Sequence, residues 1–436
     1  MDMTRVDGRS MVPYLPRLVD AQLDHILATF PAALVLGPRA SGKTTTARRI
    51  ASDVIELDDP PQAAPFRADA GAALRARLQR RTTGPVLLDE WQAVPEVLNA
   101  VKRAVDQGAE PGSLLLTGSV RASLTSASWA GTGRVIQVDM HPMTVLEQRA
   151  GAQPRCEFVA RLFAGEATEL PLPPEPPDLA GYVELATRGG YPPVVGLDDQ
   201  GRGTWLRSYV EQLVLRDVPE LGEIRDPAGL RRLLRAIAEH TAGLVADTEL
   251  AAAADINVKT VRRQERLLED LRIVEALPPW HSNRLSRLIK TPKRYVVDPG
   301  LAAVLLGIDA LAAISRGDLL GRMLDTFVLA QLRPLLSLDA PPARAYHLRQ
   351  HDGRREVDVV LEAADGRIVG LEIKATAAPT RDDARHLMWL RDQLGDRFVA
   401  GAVLNTGRWV FPLGERITAV PIAALWGEPS QHQTSA

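Results

Sequence analysis

The segment Gly37-Pro38-Arg39-Ala40-Ser41-Gly42-Lys43-Thr44 constrains this chain more than any other, because it matches G-x-x-x-x-G-K-[ST] at every fixed position. An apolar run, Ala32–Leu36, precedes it, and a helical stretch, Thr44–Ala51, follows. Strand, loop and helix in that order place the loop at the carboxyl edge of an open α/β sheet. Backbone N–H groups of the loop and of the helix start converge there on phosphate oxygens. The glycines let the backbone approach without a Cβ clash. Lys43 is expected to bring a positive charge to the β and γ phosphates, and Thr44 a hydroxyl to Mg²⁺. The expected nucleotide contacts are Gly37, Pro38, Arg39, Ala40, Ser41, Gly42, Lys43, Thr44 and Thr45, with ATP and Mg²⁺ as cofactors.

A second apolar run, Pro85–Leu88, delivers Asp89 and Glu90 to the same edge. Asp89 is expected to organise the magnesium shell, and Glu90 to orient or deprotonate the attacking water. The run Ser113–Thr117 predicts a further strand between these two, whose tip offers Thr117 or Ser119 to the γ-phosphate or water. Arg121 and Arg134 follow; Arg134 is the preferred arginine finger toward a neighbouring subunit, against an ordinary surface or interface role.

At 436 residues the chain is too long for one core, and two to four domains are expected. Its net charge of -2 gives no global field toward nucleic acid or acidic membranes, so any basic surface is local. The one cysteine, Cys156, excludes an internal disulfide and argues against a cysteine zinc site. Residues 1–17 show no apolar signal core, and Leu301–Ile314 is too short to span a bilayer, so a cytoplasmic protein without a membrane partner is expected. Prolines in Leu170–Asp178 forbid a helix, and the polar end from Gly427 to Ala436 is expected to be disordered.

Residues 180–305 read as mainly helical. Asp247–Ala254 and Val258–Ile273, split by a short turn, fit a helix-turn-helix, and Leu277–Val297 reads as two strands around a basic loop, as in a wing. Lys259, Arg262, Arg263 and Arg266 lie on the second helix, and Arg284, Arg287, Lys290, Lys293 and Arg294 on the wing. Residues 231–295 hold 13 Lys/Arg against 8 Asp/Glu, enough for phosphate contacts through residues 247–294 or for a charged packing face. From residue 320 onward a helix, Leu319–Leu335, precedes strands at Ala345–Arg349, Glu356–Glu362 and Ile368–Lys374, then a helix near Asp382–Leu394 and a strand at Phe398–Leu404. Strand periodicity puts Glu372 and Lys374 on one face, and a hairpin lets Asp358 meet Glu372. The two acids could hold a divalent cation, with Lys374 activating water, or all three could be surface ion pairs. Asp325 on the preceding helix is a further acid at this end.

Together these segments resemble a prokaryotic AAA+ ATPase family with a C-terminal domain of unknown function. The resemblance rests on the P-loop, Asp89-Glu90-Trp91-Gln92-x-x-Pro95, Leu116-Thr117-Gly118-Ser119, Gly133-Arg134, His141-Pro142-Met143 with Glu147, and Arg188-Gly189-Gly190-Tyr191-Pro192. It continues through Tyr209 with Arg216-Asp217, Pro292-Lys293-x-Tyr295, Asp298-Pro299-Gly300-Leu301, Glu356-Val357-Asp358 and Glu372-Ile373-Lys374. It implies an α/β fold: a P-loop AAA+ parallel-sheet domain (18–150), a helical lid or linker (151–222), a winged helix (223–305) and a domain resembling PD-(D/E)xK nucleases (310–428). The expected activity is Mg²⁺-dependent ATP hydrolysis that switches or powers a DNA- or protein-binding region. The rivals are an ATP-regulated nuclease acting through Asp358, Glu372 and Lys374, and a non-catalytic nucleotide-switched regulator. AAA+ domains often assemble, so an oligomer is compatible with this reading.

Overall fold

The computed structural model describes residues 14–119, 132–149, 154–221, 224, 226–281, 291–338, 343–350 and 354–427. Arg121, Arg284, Arg287, Lys290 and the polar end beyond Gly427 lie outside the described residues. The chain forms two units: Met1–Met143 with Ala150–Pro154 and Leu267–Ile273, and the remainder.

The first unit is built on five parallel strands, β1 (Ala32–Leu36), β2 (Asp53–Glu56), β3 (Val86–Asp89), β4 (Leu114–Gly118) and β5 (Ile136–Asp139), in the order β2-β3-β4-β1-β5. Strand β4 lies between β3 and β1, as the sequence predicts. Every residue of β1, β3 and β4 is buried, which is why they are near-continuous apolar runs. Leu34 and Leu36 pack toward helices Pro60–Arg80 and Val97–Asp106; Ala33 and Val35 pack toward Leu18–Thr29 and Lys43–Ile50. Strand β5 is absent from the sequence-based reading. It is an edge strand of four residues in which Gln137 and Asp139 are exposed and only Val138 is fully buried, too short a pattern to stand out.

The second unit contains helices Leu179–Arg188, Asp199–Gln212, Pro227–Glu239 and Asp247–Ala254, most of Val258–Asp270, and the antiparallel pair β6 (Val274–Leu277) and β7 (Lys293–Val296). Its larger sheet holds β8 (Arg344–Gln350), β9 (Arg355–Glu362), β10 (Ile368–Lys374), β11 (Phe398–Asn405), β12 (Phe411–Gly414) and β13 (Ile417–Pro421). Their order is β12-β13-β11-β10-β9-β8. Strands β8, β9 and β10 form an antiparallel meander; helix Arg385–Leu394 then crosses to β11, which runs parallel to β10. Strands β12 and β13 are absent from the sequence-based reading; Pro412 and Gly414 interrupt β12, which is tolerated at an edge.

Two glycine-rich segments noted in the sequence meet in this unit. Asp298 caps helix Pro299–Leu306 by accepting from Leu301 N (2.8 Å), and its other oxygen accepts from Gly190 N (2.7 Å). Gly189 has φ +72° and a Cβ there would meet Asp298 Oδ1 at 2.5 Å, while a Cβ on Gly300 would lie 2.8 Å from the Gly189 backbone, so the two segments pack this closely only with glycine at both positions. Asp298 is 1 % exposed. Asp298→Ala removes a cap and orphans a buried N–H. It should lower unfolding free energy by about 2–4 kcal/mol in urea denaturation, with Asp298→Asn losing less. A change within about 0.5 kcal/mol for the alanine variant, the range of an ordinary surface substitution, would contradict this assignment.

Candidate nucleotide site and C-terminal carboxylate cluster

The carboxyl ends of β1, β3, β4 and β5 align at one sheet edge, since Leu36 is level with Gly118 and Asp139. The P-loop leaves β1 there. A Cβ on Gly37 would fall 2.2 Å from the Met140 carbonyl oxygen, so glycine is obligatory where the loop passes the end of β5. Ala40 (φ +61°) and Gly42 (φ +97°) take left-handed conformations that curl the loop before the helix begins at Lys43. Arg17 fixes the loop from outside: its guanidinium donates to the Ser41 carbonyl (2.8 Å) and to the His141 carbonyl (2.7 Å). No motif marks Arg17 in the sequence.

Lys43 is 4 % exposed, and its ammonium donates to the carbonyls of Gly37 (3.0 Å) and Pro38 (2.8 Å). Burial pushes its pKa down to about 8, against the opposing pull of Glu90 and Asp89. Thr44 Oγ1 donates to Asp89 Oδ1 (2.9 Å), and Thr117 Oγ1 donates to that same oxygen. Glu90 follows in a left-handed conformation (φ +52°) and its N–H donates to Thr117 Oγ1 (3.3 Å). Burial raises the Glu90 carboxyl above its ordinary value, with Lys43 opposing. Gln92 donates to the Glu90 carboxylate and to Ser119 Oγ (3.4 Å). Thr117 is thus the strand-tip hydroxyl on Asp89, and Ser119 reaches the site through Gln92. Ser41 Oγ is buried without a hydrogen-bond partner, whereas Thr45 is exposed.

Arg134 is elsewhere. It precedes β5, so it sits at the amino edge of the sheet, where its Nε pairs with Asp106 Oδ1 (2.6 Å). Another arginine reaches the carboxyl edge instead. Arg272, in the returning segment Leu267–Ile273, donates from Nη2 to Asp139 Oδ1 at the end of β5 (2.6 Å). It lies near enough to Lys43 to help lower that group's pKa, its side chain is 8 % exposed, and its Nε has no hydrogen-bond partner. Sequence reasoning assigned Arg272 to the second helix of the helix-turn-helix; 133 residues separate it from Asp139, and no local pattern links them.

In the second unit Asp358, Glu372 and Lys374 do converge. Lys374 Nζ contacts Glu372 Oε2 (2.7 Å), and the Asp358 charge is close enough to raise the Glu372 carboxyl. Among the described residues no group of three or more His, Cys, Asp or Glu is arranged to hold a metal ion. Asp358 already has partners: Oδ2 accepts from Ile373 N (3.0 Å), and Oδ1 lies 3.4 Å from Lys293 Nζ, which is also 3.0 Å from Glu356 Oε1. Burial opposes charge on Asp358, but Lys293 and Lys374 outweigh it and hold its carboxyl low. Burial and the Asp358 charge push Glu372 well up, and the same two causes raise Asp325.

The wing cations need correction as well. Lys293 and Arg294 are 3 % and 5 % exposed and ion-paired, Arg294 with Glu265 and Asp247 (both 2.5 Å), so they are unavailable to phosphates. Lys259, Arg262, Arg263 and Arg266 are exposed, although Arg262 contacts Asp247 (2.7 Å).

A parallel sheet, a P-loop and an Asp-Glu strand exit at one edge define an ATPase domain of the AAA type. The AAA domain family matches residues 29–148, and two domains of unknown function match residues 179–312 (DUF8612) and 320–425 (DUF4143). The chain belongs to the same family as uncharacterized proteins Rv2008c of Mycobacterium tuberculosis and Mb2031c of Mycobacterium bovis. Each is 31% identical over 408 residues, spanning 92% of this chain and 82% of the relative. The Walker-type ATPase PABY2304 of Pyrococcus abyssi is similar at 17% identity and a TM-score of 0.38, covering 66% of this chain and 94% of that one.

Lys43 gives a pH prediction. Its folded pKa of about 8 lies below the unfolded 10.5, so the unfolded state binds more protons between these values. The wild type should therefore gain stability relative to Lys43→Met as pH rises from 8 toward 10.5, by on the order of 2–3 kcal/mol. Denaturation midpoints that stay parallel across this window would refute the burial argument.

Proposed function

We propose that the chain is a Mg²⁺-dependent ATPase in which residues 37–45 cradle the triphosphate and Glu90 activates water for attack at the γ-phosphorus. The observation that carries this reading is the shared oxygen of Asp89, bonded to both Thr44 and Thr117 beside Glu90. When bound, magnesium would be held by Thr44 and Asp89, directly or through water, and would neutralise phosphate charge. Lys43 would exchange its two loop carbonyls for the β and γ phosphates. Thr117 reports on the γ-phosphate through its bonds to Asp89 and the Glu90 N–H. The raised carboxyl of Glu90 suits a base that must accept a proton from water.

Arg272 extends this proposal. Its guanidinium, with an unpartnered Nε at the phosphate edge, would supply a second cation from the same chain. Arg134, at the opposite edge, could complete a site only on a neighbouring subunit. An oligomer is not required for the in-chain reading.

Phosphate release checks the assignment. Lys43→Ala should lose ATP binding, whereas Glu90→Gln should still bind ATP and turn over about 10²–10⁴-fold slower. Arg272→Ala should reduce turnover more than Arg134→Ala at subunit concentrations that keep the protein monomeric. Equal turnover in wild type, Lys43→Ala and Glu90→Gln would defeat the hydrolysis claim.

A second reading concerns the helix-turn-helix. Lys259, Arg262, Arg263 and Arg266 follow i, i+3, i+4, i+7 spacing and share one exposed helix face. This supports contact with the phosphate backbone of duplex DNA within a winged-helix arrangement. Arg263→Ala/Arg266→Ala should weaken DNA binding uniformly across sequences and flatten the logarithmic salt dependence by about 2. An unchanged slope would leave the face a packing or solvent surface.

A further inference from the structure

We propose that Lys293 is the resident cation of the C-terminal carboxylate cluster, standing in for the divalent metal that an Asp…Glu-x-Lys arrangement of this kind would otherwise hold. The inference rests on the geometry of the second unit and is independent of ATP hydrolysis.

Three observations carry it. Both oxygens of Asp358 are committed, one to the Ile373 N–H at 3.0 Å and the other to the Lys293 ammonium at 3.4 Å. The ammonium is fixed rather than passing: Lys293 is 3 % exposed and makes a second ion pair with Glu356 at 3.0 Å. Its strand is anchored to the sheet that bears the acids. Pro278 and Trp280 exchange backbone hydrogen bonds with His347 of β8, at 2.9 and 2.5 Å, and β7 pairs with β6 along its whole length. One oxygen of Glu372 bonds Lys374 at 2.7 Å, which leaves only the buried Oε1 open to a further cation.

A divalent ion placed at Asp358 would face the ammonium groups of Lys293, 3.4 Å from its Oδ1, and of Lys374, 2.7 Å from Glu372 Oε2. The cluster is therefore complete without metal, and Asp358, Glu372 and Lys374 do not form a metal-dependent nuclease centre.

Binding of Mn²⁺ to the full-length chain without nucleotide, followed by the loss of the free-ion EPR signal, decides the matter. Wild type and Asp358→Asn should bind equal amounts of Mn²⁺, because the cluster takes none. Lys293→Met should gain one site per chain, lost again in Lys293→Met/Asp358→Asn, and Lys293→Arg should gain none. Mn²⁺ bound by the wild type and lost in Asp358→Asn would overturn the proposal. So would a folded Lys293→Met protein that gains no site. If Lys293→Met does not fold, the wild-type comparison still decides, since it needs no change at Lys293. Mg²⁺- or Mn²⁺-dependent DNA cleavage by the wild type that Lys374→Ala abolishes would also overturn it.

Discussion

One carboxylate oxygen organises the N-terminal unit. Oδ1 of Asp89 receives the hydroxyls of Thr44 and Thr117, so the helix after β1, the end of β3 and the end of β4 are tied at one point. Three chain segments remote in sequence reach it because the strands are parallel and in register, with Leu36, Gly118 and Asp139 level across the edge. Buried strands supply the register and polar residues begin where the strands end. The same edge therefore concentrates loops, hydroxyls and carboxylates without disturbing the core.

This edge was largely legible in the sequence. Lys43, Thr44, Asp89 and Glu90 occupy fixed positions relative to strands whose burial on both faces makes them apolar throughout. What stayed hidden depends on chain return. Arg17 clamps the loop through its carbonyls, and backbone recognition leaves no residue-type signature on the partner. Arg272 arrives from a helix that reads as part of a helix-turn-helix, and its left-handed backbone (φ +57°) marks a sharp exit that a non-glycine residue does not announce. Strand β5, which provides its partner Asp139, is short and half exposed.

The C-terminal cluster illustrates a different limit. Period-two spacing correctly put Glu372 beside Lys374 and, through the hairpin, near Asp358. Spacing cannot show which cation balances the acids. Lys293 lies 65 residues from Asp358, in a basic stretch that in isolation suggests a phosphate-binding wing. Folding changes that reading: Lys293 and Arg294 of β7 are internal, and among the described residues Lys259, Arg262, Arg263 and Arg266 on the preceding helix are exposed. A count of local charge says nothing about direction. Buried ion pairs also stabilise only when fully matched, so these lysines and acids are better understood as mutual requirements than as separate sites.

In the proposed mechanism the Asp89 oxygen and the Lys43 ammonium change partners when MgATP binds. A crystal structure with magnesium and a nonhydrolysable ATP analogue tests it most directly. Lys43 Nζ should leave the carbonyls of Gly37 and Pro38 for phosphate oxygens, Thr44 and Asp89 should hold the metal directly or through water, and a water should lie beside Glu90. A nucleotide bound away from this edge, or phosphates in the loop with Lys43 still on its two carbonyls, would contradict it.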